Sequence, residues 1–261
     1  MSSLSFTTIQ TNIFWEDKIA NLKMLEEKIF SIKQKTAIVV LPEMFNTGFT
    51  LNVEKLAEPM HGETFAWMKK IASQKKIILT GSIIIEEDGK YFNRLIWMQP
   101  NRQFGFYNKR HLFAFAGEHE KYTAGNKRFI ASVNGWKINL QICYDLRFPV
   151  WARQQTNNEY DVLINVANFP KARNHHWKTL LTARAIENQC YVIGVNRTGK
   201  DGNGVIYTGN SMALNAKGET LYCKENDEDV FTIVFEKDDL FAIRNKYPFL
   251  KDADNFNIEV V

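Results

Sequence analysis

Three side chains able to do chemistry each stand just past a short strand-like run. Glu43 follows Ala37–Leu41 and Pro42, Lys109 follows Gln103–Asn108, and Cys143 follows Trp136–Ile142. A thiol is a strong nucleophile only as thiolate and needs a base to take its proton. A carboxylate whose pKa is raised by partial burial can be that base. Attack on a carbonyl carbon creates an oxyanion, which an ammonium and a backbone N–H can stabilise. Cys143, Glu43 and Lys109 supply the thiol, the carboxylate and the ammonium. In α/β proteins ligands bind beyond the carboxyl ends of strands, which is where all three would lie. The loop Ala167-Asn168-Phe169-Pro170, after the run Val162–Val166, is a fourth candidate for the same rim. The polar stretch Tyr144-Asp145-Leu146-Arg147 directly after Cys143 also suggests a rim. Cys190, at a helix–strand junction, and Cys223, near a strand end, read as packing residues.

The elements that must position these groups alternate between strand and helix periodicity. Leu4–Gln10 reads as a strand. Asp17–Ile32 reads as an amphipathic helix, with Ile19, Leu22, Leu25, Ile29 and Ile32 on one face and acids at its N-terminus. Ala37–Leu41 is a continuous apolar strand, and Phe65–Ala72 a second helix. Two hairpins are marked by Asp88-Gly89, between Ile77–Ile85 and Tyr91–Met98, and by Asn134-Gly135, between Phe129–Val133 and Trp136–Ile142. Gln103–Asn108 is a further strand, and His111–Arg128 a long loop. Then come Val150–Gln155 (helix), Val162–Val166 (strand), His176–Asn188 (helix) and Tyr191–Asn196 (strand). Ser211–Asn215, Thr220–Tyr222 and Val230–Phe235 read as strands, and Lys237–Arg244 as a last helix. Helix-separated and hairpin-linked strands together fit mixed sheets covered by helices, an α/β class. Residues 1–261 read as one domain with an irregular tail from about 245 to 261.

The composition narrows the function classes. The 261 residues are 45% hydrophobic and 24% charged, enough apolar material for a large core and against disorder. The net charge is only +4, and the Lys69-Lys70 and Lys75-Lys76 pairs read as a solvated face near a helix end, so no nucleic-acid partner is expected. No apolar run reaches the ~18 residues of a membrane span. The opening Met1-Ser2-Ser3-Leu4-Ser5-Phe6 shows no secretory signal. Three scattered cysteines fit a reducing, cytoplasmic compartment. His61, His111, His119, His175 and His176 have no metal-ligand spacing, so no metal is expected, and the cysteine chemistry above calls for no organic cofactor.

These residues resemble the nitrilase superfamily of carbon–nitrogen hydrolases. Its landmarks stand in order: Leu41-Pro42-Glu43, Lys109-Arg110-His111-Leu112-Phe113, and Cys143-Tyr144-Asp145-Leu146-Arg147-Phe148-Pro149. Downstream follow Asn168-Phe169-Pro170, His176-Trp177 and Ala183-Arg184-Ala185-Ile186-Glu187-Asn188-Gln189. The resemblance spans about residues 4–250. It implies a four-layer α-β-β-α sandwich with two mixed sheets, paired into a homodimer. It further implies Glu43 as general base, Lys109 as oxyanion stabiliser and Cys143 as nucleophile, with the Tyr144 N–H as second oxyanion donor. Glu118 matches a second, substrate-orienting glutamate; read without the family, it is a solvated loop acid.

Within the family the three motifs look like the ω-amidase branch, which hydrolyses the terminal amide of 2-oxo dicarboxylate monoamides such as 2-oxoglutaramate and 2-oxosuccinamate. The substrate's distal carboxylate wants a bidentate cation. Arg147 is the candidate and Arg173 the runner-up, although a structural ion pair of Arg147 with Asp145 or another acid is an alternative. Phe49, Phe113, Phe115 and Phe169 form a candidate apolar wall. Other readings are an amidase or nitrilase for another small amide or nitrile, a Cys–His hydrolase using His111 or His119, and a catalytically silent binding subunit.

Overall fold

The computed structural model describes residues 3–155 and 158–259. The first half of the chain runs β1 (Ser3–Gln10), α1 (Lys18–Phe30), β2 (Ile38–Val40), α2 (Val53–Leu56), β3 (Glu58–Pro59), α3 (Glu63–Lys75), β4 (Ile78–Glu87), β5 (Lys90–Met98), β6 (Phe104–Asn108) and α4 (Glu118–Lys121). The second runs β7 (Ile130–Val133), β8 (Trp136–Ile142), α5 (Pro149–Ala152), β9 (Val162–Ala167), α6 (Asn174–Asn188), β10 (Tyr191–Asn196), β11 (Thr198–Lys200), β12 (Ile206–Leu214), β13 (Thr220–Glu225), β14 (Asp229–Glu236) and α7 (Lys237–Lys246).

Among the described residues the strands form two seven-stranded sheets. One has the order β14-β1-β2-β4-β5-β6 with β3 beside β4; the other has β11-β12-β10-β9-β8-β7 with β13 beside β12. Strands joined through helices pair in parallel, as in β1-β2-β4 and β8-β9-β10; strands joined by tight turns pair antiparallel. Period-2 alternation sorts the side chains of each strand to two faces. Phe6, Ile38, Val40, Leu95 and Trp97 of the first sheet meet Ile138, Leu140, Ile142, Ile164 and Val195 of the second. The outer face of the first sheet packs under α1 and α3, and that of the second under α6. The layers are therefore α-β-β-α, as expected. Helix α6 approaches closely because β10 carries Gly194, where a Cβ would sit 2.4 Å from Leu181 Cδ1.

Several elements depart from the sequence reading, each for a local reason. On α1, Ile19 is 75% exposed and Asn21 is buried instead. Asn21 binds Phe14 N, Phe14 O and Asn46 O, so a polar residue ties the strand-to-helix loop to the next one. The expected helix Val150–Gln155 is only Pro149–Ala152, with Pro149 in its first turn. The stretch His111–Arg128 is not all loop: Ala114–Ala116 is a 3-10 turn and α4 follows Gly117. Strand β12 begins at Ile206, five residues before the expected Ser211. Cys223 is exposed rather than packed, because β13 lies at a sheet edge with one face open; Cys190 is buried as expected. The tail carries a 3-10 turn at Phe249–Asp252, and its last two residues, Val260 and Val261, lie outside the described residues.

Candidate active site

Glu43, Lys109 and Cys143 leave the carboxyl ends of β2, β6 and β8 and meet between the sheets. The Glu43 and Lys109 side chains are fully buried. Lys109 Nζ donates to Glu43 Oε1 at 2.9 Å and to both oxygens of Glu118 at 3.0 and 2.9 Å. The Cys143 thiol stands beside them, where the charges of Glu43, Lys109 and Glu118 all act on it. Its backbone has φ +45°, a left-handed conformation disfavoured in a residue with a Cβ. Such an elbow turns the side chain away from the strand it follows.

Asp145 holds the elbow in place. Buried, it accepts from Ile142 N at 3.0 Å, His111 N at 2.9 Å and the Tyr107 hydroxyl at 2.7 Å. His111 Nδ1 lies 2.8 Å from the same carboxylate, and its ring stacks on Phe148. His111 therefore supports the turn, while Glu43 is the carboxylate whose charge acts most strongly on the thiol. His119, on α4, is exposed and does not line the pocket. Neither histidine is placed as the base of a Cys–His pair.

Burial pushes the Cys143 thiol well up, with the Glu43 carboxylate adding to the shift and Lys109 opposing it. The thiol therefore rests protonated and needs a base. Burial alone would lower the Lys109 ammonium, but the carboxylates of Glu118 and Glu43 outweigh it and hold the amine well above its usual range. Burial raises Glu118, and the nearby Glu43 carboxylate adds to this against the pull of Lys109.

Two asparagines absent from the sequence reading of the catalytic set grip Glu43. Asn93 Nδ2 donates to Glu43 Oε1 at 2.8 Å. Asn168 donates its backbone N–H to Oε2 at 2.8 Å and its side-chain amide to the Glu43 carbonyl at 2.7 Å. The carboxylate is thus oriented from both sheets. Gly125 pins the Lys109 backbone through a 2.8 Å bond to its carbonyl. A Cβ at Gly125 would fall 2.2 Å from Asn108 O, so only glycine fits there. Asn93→Ala removes a donor to an ionised partner, worth about 1.5 kcal/mol, and is expected to lower kcat about ten-fold with little change in KM. Ammonia release under saturating amide checks this; an unchanged kcat would remove Asn93 from the positioning set.

The pocket, about 190 Å³, is lined by Lys109, Cys143, Tyr144, Arg147, Phe113 and Phe169 of the expected set. Phe49 and Arg173 also line it, whereas Phe115 is 87% exposed and does not. Phe115 belongs to the exposed 3-10 turn, and only Phe113 of that pair turns inward. Glu118 is no solvated loop acid. It is buried, with both oxygens on Lys109 and one accepting from Phe113 N, and it does not itself line the pocket. Arg147 does not pair with Asp145: its Nη2 lies 2.9 Å from His176 Nδ1. Asp201, Asn203, Val205 and Tyr207, from the β11–β12 hairpin, complete the wall and were not foreseen. The turn dipeptides Asp201-Gly202 and Asn203-Gly204 were the available signal. Among the described residues no three His, Cys, Asp or Glu side chains converge to hold a metal ion.

A thiol beside a buried carboxylate and an ammonium, in a pocket between two helix-covered sheets, is geometry suited to cysteine acyl transfer. The carbon-nitrogen hydrolase family profile matches residues 6–240. The omega-amidase YafV of Yersinia enterocolitica is 42% identical over 257 residues, covering 98% of this chain and 99% of that one. The 2-oxoglutaramate amidase of Bacillus subtilis is 30% identical over 251 residues, covering 95% and 96%. A crystal structure of a CN-hydrolase superfamily protein from Xanthomonas campestris, with an arsenic adduct in its active site, superposes with TM-score 0.96 at 37% identity, covering 99% and 100%. This chain belongs to the carbon–nitrogen hydrolase family, the nitrilase superfamily, and groups with its ω-amidase branch. It is accordingly a hydrolase of carbon–nitrogen bonds.

Proposed function

We propose that the chain is an ω-amidase that converts 2-oxo dicarboxylate monoamides, such as 2-oxoglutaramate and 2-oxosuccinamate, to the acid and ammonia. The observation that carries this reading is one pocket lined both by Cys143 and Lys109 and by two guanidinium side chains, Arg147 and Arg173. The first pair suits an amide carbonyl, and the second a carboxylate elsewhere on the same small molecule. Phe49, Phe113 and Phe169 lie between as apolar wall. The likeness to omega-amidase YafV and to a 2-oxoglutaramate amidase supports the same substrate class.

The reaction then proceeds in two halves. Glu43 takes the Cys143 proton, and the thiolate sulfur bonds to the amide carbon. The carbonyl electron pair moves to oxygen, where Lys109 and the Tyr144 N–H hold it. Collapse breaks the C–N bond as Glu43 returns its proton to nitrogen, and ammonia leaves a thioester on Cys143. Water gives a proton to Glu43 and attacks the thioester carbon. The C–S bond breaks, the acid departs, and Glu43 reprotonates the thiol. Glu118 and Asn93 keep Lys109 and Glu43 in register through both halves.

Ammonia release across a panel of ω-amides, simple aliphatic amides and nitriles tests the substrate class, and greater turnover of nitriles would overturn it. In the same panel Arg147→Ala is expected to raise KM about 30-fold for amides bearing a distal carboxylate. Simple amides should be unaffected; an equal effect on both would remove Arg147 from the carboxylate site. We further read residues 1–261 as one catalytic domain, working as a homodimer in the cytoplasm. Three free thiols support the reducing compartment. Among the described residues no helix is long and apolar enough to cross a membrane.

A further inference from the structure

We propose that His176 is a positioning residue that aims the Arg147 guanidinium into the pocket; this rests on the reading that Arg147 holds the substrate's distal carboxylate. A guanidinium has donors only, so the 2.9 Å contact between Arg147 Nη2 and His176 Nδ1 makes that ring nitrogen the acceptor. The proton of the neutral imidazole then sits on Nε2. The contact uses one edge of the guanidinium and leaves the remaining N–H groups for a ligand.

Both partners stand on fixed backbone. Arg147 ends the 3-10 turn that begins at Cys143. That turn is anchored by Asp145 and by Arg184 Nη2, which donates to the Leu146 carbonyl at 2.5 Å. His176 lies in the first turn of α6, next to Trp177, which is fully buried and donates to Asn210 O at 2.8 Å. The free part of the pair is the long arginine stem. His176 and the face of Phe169, 5.8 Å from the guanidinium carbon, restrict it. Arg173 has no such acceptor from α6 among its contacts; its guanidinium lies over the Phe113 ring at 5.1 Å. A long cation held beforehand loses less rotamer freedom when it binds an anion. His176 therefore acts on affinity for carboxylate-bearing amides and leaves the chemistry at Cys143 untouched.

Steady-state kinetics on His176→Ala, His176→Asn, Arg147→Ala and the Arg147→Ala/His176→Ala double variant test this. The substrates are 2-oxoglutaramate and an uncharged amide of the same chain length. His176→Ala is expected to raise KM for 2-oxoglutaramate about five-fold with kcat within about two-fold, and to leave the uncharged amide unchanged. His176→Asn, whose Oδ1 stands near the place of Nδ1, is expected to restore the wild-type KM. In the absence of Arg147, His176→Ala should add nothing. An unchanged KM in His176→Ala, equal losses on both substrates, failed rescue by asparagine, or additive effects in the double variant would each overturn the proposal. If Arg147→Ala itself shows no preference for the carboxylate substrate, it is the parent reading that fails. If Arg147→Ala is selective and His176→Ala is silent, only the role of His176 is lost.

Discussion

Cys143→Ala is expected to abolish ammonia release from 2-oxoglutaramate, lowering turnover by about 10⁴-fold or more, without unfolding the protein. The catalytic loss follows because no other thiol stands in the pocket. Cys190 is buried in the core under α6, and Cys223 is exposed on β13. The fold survives because the substitution removes one sulfur and leaves the bonds of Glu43 to Lys109, Asn93 and Asn168 in place. Alanine adopts φ +45° no less readily than cysteine, so the elbow gains no strain. Unfolding in denaturant should shift by about 1 kcal/mol or less. Ammonia assays beside denaturation curves separate the two effects. Wild-type turnover by the variant would remove Cys143 from the role of nucleophile.

Lys109→Met is expected to be both inactive and unstable. It takes away the ammonium that we propose stabilises the oxyanion, a loss of about 10²–10³ in kcat. It also leaves Glu43 and Glu118 buried without their shared cation, and breaking a buried pair in this way costs about 3–5 kcal/mol. The pH dependence gives the sharper signature. Burial and the Glu43 carboxylate already raise Glu118 against the opposing Lys109. With the lysine gone that opposition is lost, and the folded-state pKa of Glu118 rises further above its unfolded value. A carboxyl raised in the folded state binds its proton more tightly there, so its stabilising contribution is present at low pH and is lost as pH rises through the folded pKa. The deficit of Lys109→Met relative to wild type should therefore shrink on going from neutral to mildly acidic pH. Denaturant midpoints measured at several pH values check this, and a deficit that grew on acidification would contradict the buried-pair account.

Much of the framework could be read along the chain because strand pairing obeys local rules. The two Asx-Gly turns place β4–β5 and β7–β8 as hairpins, and both occur. The continuous apolar run at β2 is buried throughout, as a strand covered on both faces must be. What failed depended on contacts between distant segments. Ile19 fits a helical stripe but faces solvent, because the loop at Asn46 recruits Asn21 instead. Glu118 sits in a stretch with no periodic signal, yet Gly117 and a single turn of helix deliver it to Lys109. Asn93 lies mid-strand between Phe92 and Arg94, where nothing local distinguishes a core asparagine from a functional one.

The sequence by itself determined the α/β class, the family and the three groups carried past β2, β6 and β8, since these rest on periodicity, turn chemistry and short motifs. Only the tertiary structure decided which side chains share the buried charge cluster, that Asn93 and Asn168 orient Glu43, that Phe113 rather than Phe115 lines the pocket, and that Arg147 is held by His176 rather than by Asp145. The reason is physical. Secondary structure is encoded over a few residues, whereas pairing a buried charge requires partners from both sheets, up to 125 positions apart, brought together by the packing of the sandwich.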